Sequence, residues 1–233
     1  MTDKTDFNPD NARHIGQNRV IIGDIHSCAR ELQLIIDHFP NCKYIAVGDL
    51  FDRGRRGMDV WNLIHQYEIQ CCLGNHELKL LNFLTGKRDW VSPHYHIFID
   101  AFKKEKPISE LIEFLQKLPL IIPLDESSLV THGGIDIKNP WREDVSANVY
   151  GKFDAKKPMP KGDNKLDGWW NHYKGNVKVY YGHISFHEPK ILPNSVGLDT
   201  AACHGNKLTA ICHETGEIFS AASKRNYFEE LNQ

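Results

Sequence analysis

The feature that most restricts the fold is a unit met three times between Val20 and Leu84: a short apolar run, then Gly followed by Asp or Asn, then apolar residues at helical spacing. Val20, Ile21 and Ile22 lead into Gly23-Asp24, and Leu32, Ile35, Ile36 and Phe39 follow. Tyr44 to Val47 leads into Gly48-Asp49, followed by Val60, Leu63, Ile64 and Tyr67. Ile69 to Leu73 leads into Gly74-Asn75, followed by Leu78, Leu80, Leu81, Phe83 and Leu84. Runs this short fit strands, and apolar residues three and four apart fit one face of a helix, so each unit reads as strand, loop and helix. Successive strands joined through helices predict a largely parallel sheet with helices packed on it. Each Gly-Asp or Gly-Asn then lies at the carboxyl end of its strand, where such sheets hold ligands.

The stretch from Trp90 to Lys117 reads as helical, with Ile108, Leu111, Ile112 and Leu115 on one face and Pro107 suited to a first turn. After Pro119 the runs shorten to Leu120–Leu124, Ser128–Thr131, Val177–Tyr181 and Lys207–Cys212, a second set of strands. The expected architecture is α/β: a four-layer α/β/β/α sandwich of two mixed sheets facing each other, flanked by helices. A polar extension over 1–18 precedes a single domain over 19–233. A segment at 144–174, rich in Lys, Gly, Asp and Pro, is expected to be a long surface loop, a type that is often functional.

With 41% hydrophobic and 25% charged residues, the chain has the composition of a globular protein. A formal net charge of -2 gives no global attraction to nucleic acid or anionic lipid. An anionic substrate must therefore be held by a local positive site, which points to a metal or an arginine cluster. The N-terminus carries Asp3, Asp6 and Asp10 and lacks the basic-then-apolar order of a secretory signal. No apolar run approaches the roughly 20 residues that cross a bilayer. The six cysteines show no CxxC spacing, and Cys71 and Cys72 would point to opposite faces of a strand, so all six are read as reduced thiols. A cytoplasmic location with no membrane partner is expected.

The chemistry concentrates in Asp24, His26, Asp49, Asn75, His132 and His183. Mixed oxygen and imidazole donors suit Mn, Fe, Zn or Co better than Ca or Mg, which prefer all-oxygen shells, or structural Zn, which favours thiolates. Six donors exceed one tetrahedral site but suit two metals sharing a carboxylate, a role assigned to Asp49. Two cations about 3.5–4 Å apart lower the pKa of a bridging water from about 15.7 toward about 7, which supplies a hydroxide nucleophile at neutral pH.

Gly23-Asp24-Ile25-His26, Gly48-Asp49-Leu50-Phe51-Asp52-Arg53-Gly54, Gly74-Asn75-His76-Glu77, His132-Gly133-Gly134 and Gly182-His183 together resemble the ordered signature of calcineurin-like metallophosphoesterases. The Asp-Arg-Gly and Asn-His-Glu forms are most similar to the bacterial phosphoprotein phosphatase branch, and the resemblance runs from Arg19 to Ile211. It implies that Asp24, His26 and Asp49 hold one metal and that Asp49, Asn75, His132 and His183 hold the other. The ions are expected to be divalent or mixed-valence transition metals, with Mn²⁺ first and Fe or Zn as alternatives. His76 is implied as the general acid with Asp52 hydrogen-bonded to it, since a neighbouring carboxylate raises and orients an imidazole. Arg53 and Asn75 are implied to grip the substrate phosphoryl group, with Arg142 as a further clamp.

The implied activity is phosphomonoester hydrolysis of the serine/threonine protein phosphatase type, on a phosphorylated protein or a small phosphoester. The stretch from Val179 to Ala210 is equally similar to two alternatives, symmetrical dinucleoside tetraphosphatases and nucleic-acid end-processing phosphatases or phosphodiesterases. Ser27 stands where the family usually has Gly, so the loop should avoid any glycine-only conformation. The remaining histidines, including the spaced pairs His94/His96 and His183/His187, predict no third metal. Arg55 and Arg56 read as a solvated helix start. Trp169, Trp170 and Tyr173 read as packing for the long loop in preference to a base-stacking surface.

Overall fold

Alternation along the strands assigns the layers. In β1 (Arg19–Ile22) Val20 and Ile22 join one buried cluster while Ile21 joins another, and in β2 (Lys43–Ala46) Tyr44 and Ala46 separate from Ile45 in the same way. Successive side chains of a strand face opposite sides, so both faces of this sheet are covered. The computed structural model describes residues 18–152 and 167–231. Its first sheet has the order β10-β9-β1-β2-β3, with β3 at Gln70–Cys71, β9 at Lys207–Cys212 and β10 at Ile218–Ala222. The second has the order β4-β5-β6-β8-β7, with β4 at Ile121–Asp125, β5 at Ser128–Thr131, β6 at Lys178–Tyr181, β7 at Lys190–Leu192 and β8 at Ser195–Gly197.

The sheets face each other across Ile21, Ile45, Val47, Val130, Tyr180, Val196 and Ile211. Outside the first sheet pack α1 (Ala29–His38), α2 (Gly57–Gln66), α3 (Asn75–Leu84), α4 (Pro93–Glu105) and α5 (Ile108–Lys117). Outside the second lie the short helices α6 (Val145–Asn148) and α7 (Trp169–His172). A last short helix, α8 (Tyr227–Glu230), follows β10. Two mixed sheets with flanking helices are therefore the architecture, as the sequence pattern predicts.

Three details differ from expectation. The first sheet is parallel only through β1, β2 and β3, because β9 and β10 join antiparallel on the other side of β1. The helical stretch from Trp90 to Lys117 is two helices, since Lys106 before Pro107 is extended (φ -143°, ψ 152°), the conformation a following proline imposes. Two ends of the 144–174 segment are ordered as α6 and α7, and Trp169, Trp170 and Tyr173 are buried against β6. They cannot stack on a base from there. Residues 153–166 of that segment, and 1–17 of the polar extension, lie outside the described residues.

Candidate metal centre

Five of the loops that end strands converge: those after β1, β2 and β3 in one sheet and after β5 and β6 in the other. They deliver Asp24 and His26, Asp49, Asn75, His132 and His183, all buried except His183, which is partly so. The backbone there is unusual. His26, Asp49, Arg53 and His183 have φ of 43°, 53°, 61° and 65°, left-handed values that cost non-glycine residues about 1–3 kcal/mol each and persist only where surrounding bonds enforce them. For His26, Asp49 and His183 the enforcing bonds are present. The His26 N–H donates to Asp49 O (2.7 Å), the Asp49 N–H to Glu77 Oε2 (2.7 Å), and the His183 N–H to both Asp24 oxygens (3.1 Å each).

Two sets of donor atoms each close to within 4.8 Å: His26, Asp49 and His76, and Asp49, His132 and His183. Asp49 belongs to both, the position proper to a shared carboxylate. Asn75 turns one amide atom toward His132 Nε2 (3.1 Å), His183 Nδ1 (3.2 Å) and both Asp49 oxygens (3.0 and 3.1 Å). With the amide oxygen in that position the converging atoms are all lone-pair donors, a set that a cation satisfies; with the amide nitrogen there instead, it donates to all of them and the oxygen accepts from Lys79 Nζ at 2.9 Å. Burial pushes His132 down to about 4 and His183 to about 3, so both present neutral imidazoles, the form that ligates. Burial, with Asp199 and Asp49 adding to it, pushes Asp24 well above the usual carboxylate range. A buried carboxylate repelled by two others calls for positive charge nearby. The donor set thus fits a dinuclear transition-metal centre.

Asp24 is not in either close set. Its carboxylate lies against the His183 backbone and against Gly182, where a Cβ would run into Asp24 Oδ1 and Val47 Cγ2. Asp52 bridges two imidazoles: Oδ1 meets His26 Nδ1 at 2.8 Å and Oδ2 meets His76 Nδ1. Burial pulls His76 down, but Asp49 and Asp52 outweigh it and hold the imidazole above its usual value. Arg53 Nη2 lies 3.1 Å from His76 Nε2, and its Nη1 lies 3.4 Å from His204. Arg142 is not brought to the cluster: its guanidinium is 60% exposed and reaches Asp136 at 3.4 Å.

Ser27 corrects an expectation. It adopts φ 61°, the left-handed region after all, and its Oγ donates to Phe51 O at 2.6 Å, which offsets part of the conformational cost. The structure also adds residues. Glu77 and Lys79 were within reach of sequence reasoning, one inside the Asn-His-Glu motif and one a helical turn from Asn75. Tyr95, whose hydroxyl lies 2.9 Å from His76 Nδ1, comes from α4 with no local signal. Asp199 accepts from Ser185 Oγ (2.6 Å) and the Ala201 N–H (2.9 Å) behind Asp24.

The sequence profile of the calcineurin-like phosphoesterases matches residues 18–213, and the chain belongs to that family. It is a phosphoester hydrolase of a class built on a dinuclear metal centre. The bis(5'-nucleosyl)-tetraphosphatase PrpE [asymmetrical] of Anoxybacillus flavithermus is 30% identical over 236 residues, covering 90% of this chain and 96% of its own. The protein of the same description from Bacillus thuringiensis is 30% identical over 237 residues with the same coverage. Among solved structures, one provisionally described as a diadenosine tetraphosphatase superposes with a TM-score of 0.71 at 21% identity, covering 90% of this chain and 95% of the other. A serine/threonine phosphatase from Saccharomyces cerevisiae superposes at 0.54 with 15% identity, covering 91% and 78%. At these identities the two structures speak to the fold.

Proposed function

We propose that the chain hydrolyses a phosphoanhydride bond of bis(5'-nucleosyl) tetraphosphates. The observation that carries this is the near-full-length similarity to relatives described as asymmetrical tetraphosphatases. It favours what the sequence offered as an alternative, with asymmetrical in place of symmetrical cleavage, over the protein phosphatase reading.

In this reading Asp24, His26 and Asp49 would hold one metal, and Asp49, Asn75, His132 and His183 the other. When bound, such ions supply a water-derived nucleophile and neutralise charge developing on the phosphoryl oxygens. Metal identity, with Mn²⁺ as first choice, belongs to the same proposal. Arg53 presents a guanidinium beside the acid, suited to two phosphoryl oxygens at once. His76 has Nδ1 committed to Asp52, so Nε2, facing Arg53, is the atom that delivers a proton to the departing oxygen. Burial of Asp52 between two imidazoles keeps that ring in one orientation. One catalytic domain is implied because both sheets contribute donors. A cytoplasmic setting is supported by six unpaired cysteines, and among the described residues no helix is long and apolar enough to cross a membrane.

The test is kcat/KM for diadenosine tetraphosphate against a phosphoserine peptide, with metal-stripped protein resupplied with Mn²⁺. ATP and AMP as products, at a kcat/KM well above that for the peptide, are expected. Two ADP would return the reading to symmetrical cleavage, and a dominant peptide activity to the protein phosphatase type.

A further inference from the structure

Beside His76, a cavity of about 270 Å³ opens between the first half of α3, the loop joining α3 to α4, the start of α4, and α8. Its wall includes Arg53, His76, Lys79, Arg88, Trp90 and Phe228. Three of these are permanent or near-permanent cations. The carboxylate that contributes to the wall, Asp52, has both oxygens engaged by His26 and His76. The cavity therefore favours an anion.

Trp90 is 64% exposed, the most exposed of the large apolar side chains among the described residues. A bare indole forfeits roughly 25 cal/mol for each Å² of apolar surface left in water. It is held out by its neighbours: Arg88 Nε donates to Trp90 O at 2.6 Å, the Lys87 and Arg88 N–H groups donate to Asn82 O, and Val91 is buried on the other side. A ring face fixed in solvent beside two cations and a proton donor matches a phosphate chain that ends in an aromatic base.

We propose that this cavity is the leaving-group subsite for a nucleoside polyphosphate, with Lys79 and Arg88 taking phosphates beyond the one attacked and Trp90 stacking the base. The inference rests on the phosphoanhydride reading above. In the reaction a water oxygen bonds to the attacked phosphorus as the bond from that phosphorus to the bridging oxygen breaks. The bridging oxygen keeps the electron pair, takes a proton from His76 Nε2 and leaves as the terminal oxygen of the nucleoside polyphosphate, while the attacking water's proton passes to solvent. Departure is toward the acid, and the cavity lies on the acid's side. Its volume is just under the roughly 300 Å³ at the low end of ligand pockets, which suits one half of a dinucleotide.

The experiment is calorimetric binding to the metal-loaded full chain of two non-hydrolysable probes, the analogue of ATP with methylene at both the α,β and β,γ bridges and base-free methylenediphosphonate. Trp90→Ala is expected to weaken the ATP analogue about tenfold, within what one lost base stack costs, and to change methylenediphosphonate less than twofold. Trp90→Phe, which keeps a ring face, should recover most of the loss, and Arg88→Ala should weaken both probes. Wild-type affinity of Trp90→Ala for the ATP analogue, or an equal loss on both probes, overturns the subsite. Dinucleotide turnover by the wild type is scored separately. If turnover is absent while analogue affinity depends on Trp90, a nucleotide site stands but its leaving-group role falls with the proposed reaction; if turnover is present and affinity ignores Trp90, the reaction stands and the subsite falls.

Discussion

The Glu77 carboxylate accepts the Asp49 backbone N–H at 2.7 Å, and its other oxygen accepts the Leu50 N–H at the same distance. A fully enclosed acid thus holds in place the left-handed residue that both donor sets share. Burial, together with the Asp49 charge, pushes Glu77 up to about 8, so the interaction is maintained at an electrostatic cost. Glu77→Gln turns an amide NH₂ toward one of the two backbone donors. Leaving a buried donor unsatisfied costs about 1–3 kcal/mol, so the urea midpoint should drop by that equivalent and bound metal should fall. An unchanged midpoint and metal content would mean that Glu77 does not position Asp49.

Chelation should abolish turnover of the wild type and Mn²⁺ should restore it. Asp49→Asn removes one anionic oxygen from the residue common to both sets, so metal analysis should show fewer than two ions per chain and kcat should fall at least about 100-fold. A variant that keeps two ions and full turnover would remove Asp49 from the centre.

His76→Asn should leave metal content near that of the wild type, since His76 is assigned to proton delivery. Loss of a general acid costs about 10²–10⁴-fold when the leaving group needs a proton. The decline should therefore be steep for an alkyl phosphate and shallow for p-nitrophenyl phosphate, whose leaving group is stable as an anion. Equal declines on the two substrates argue against the acid role.

Ser27 offers a test of how the strained loop is held. Ser27→Ala keeps the positive φ but loses the bond to Phe51 O, so it should cost about 1 kcal/mol. Ser27→Gly loses the same bond while relieving the left-handed conformation, which is worth about 1–2 kcal/mol per residue. Thermal melts should rank alanine below glycine. The opposite order would mean that the hydroxyl and the backbone strain are unrelated.

The donors were legible because each sits at a strand end marked by glycine, and Gly182 and Gly74 show why: a Cβ at either would collide with Asp24 or Asp49. The flanking helices were legible through their apolar spacing. β7 and β8 were not, being three residues each, β8 with Ser and Gly as two of its three, and β10 lacks a continuous apolar run. Their pairing is decided by the strands they meet. Tyr95 and Asp199 share this property, since they matter through contacts with residues far away in the chain. Arg142, expected as a further clamp, sits outside a clear motif, and its observed partner is Asp136 instead.

The order of strands in the first sheet has a bearing on synthesis. Val20 lies opposite Cys212, and Ile211 opposite Ile218, so the sheet begun by the earliest ordered strand is completed only by the last two. On the ribosome, Asp24, His26, Asp49 and Asn75 emerge at the ends of β1, β2 and β3, which pair with one another, while β1 still lacks β9 on its other edge, and closing so long a loop is slow. The nascent polypeptide therefore carries most of its metal-binding groups without a pocket to arrange them. A chain ended before β9 would lack the strand that flanks β1, and with it the complete sheet that carries Asp24 and His26.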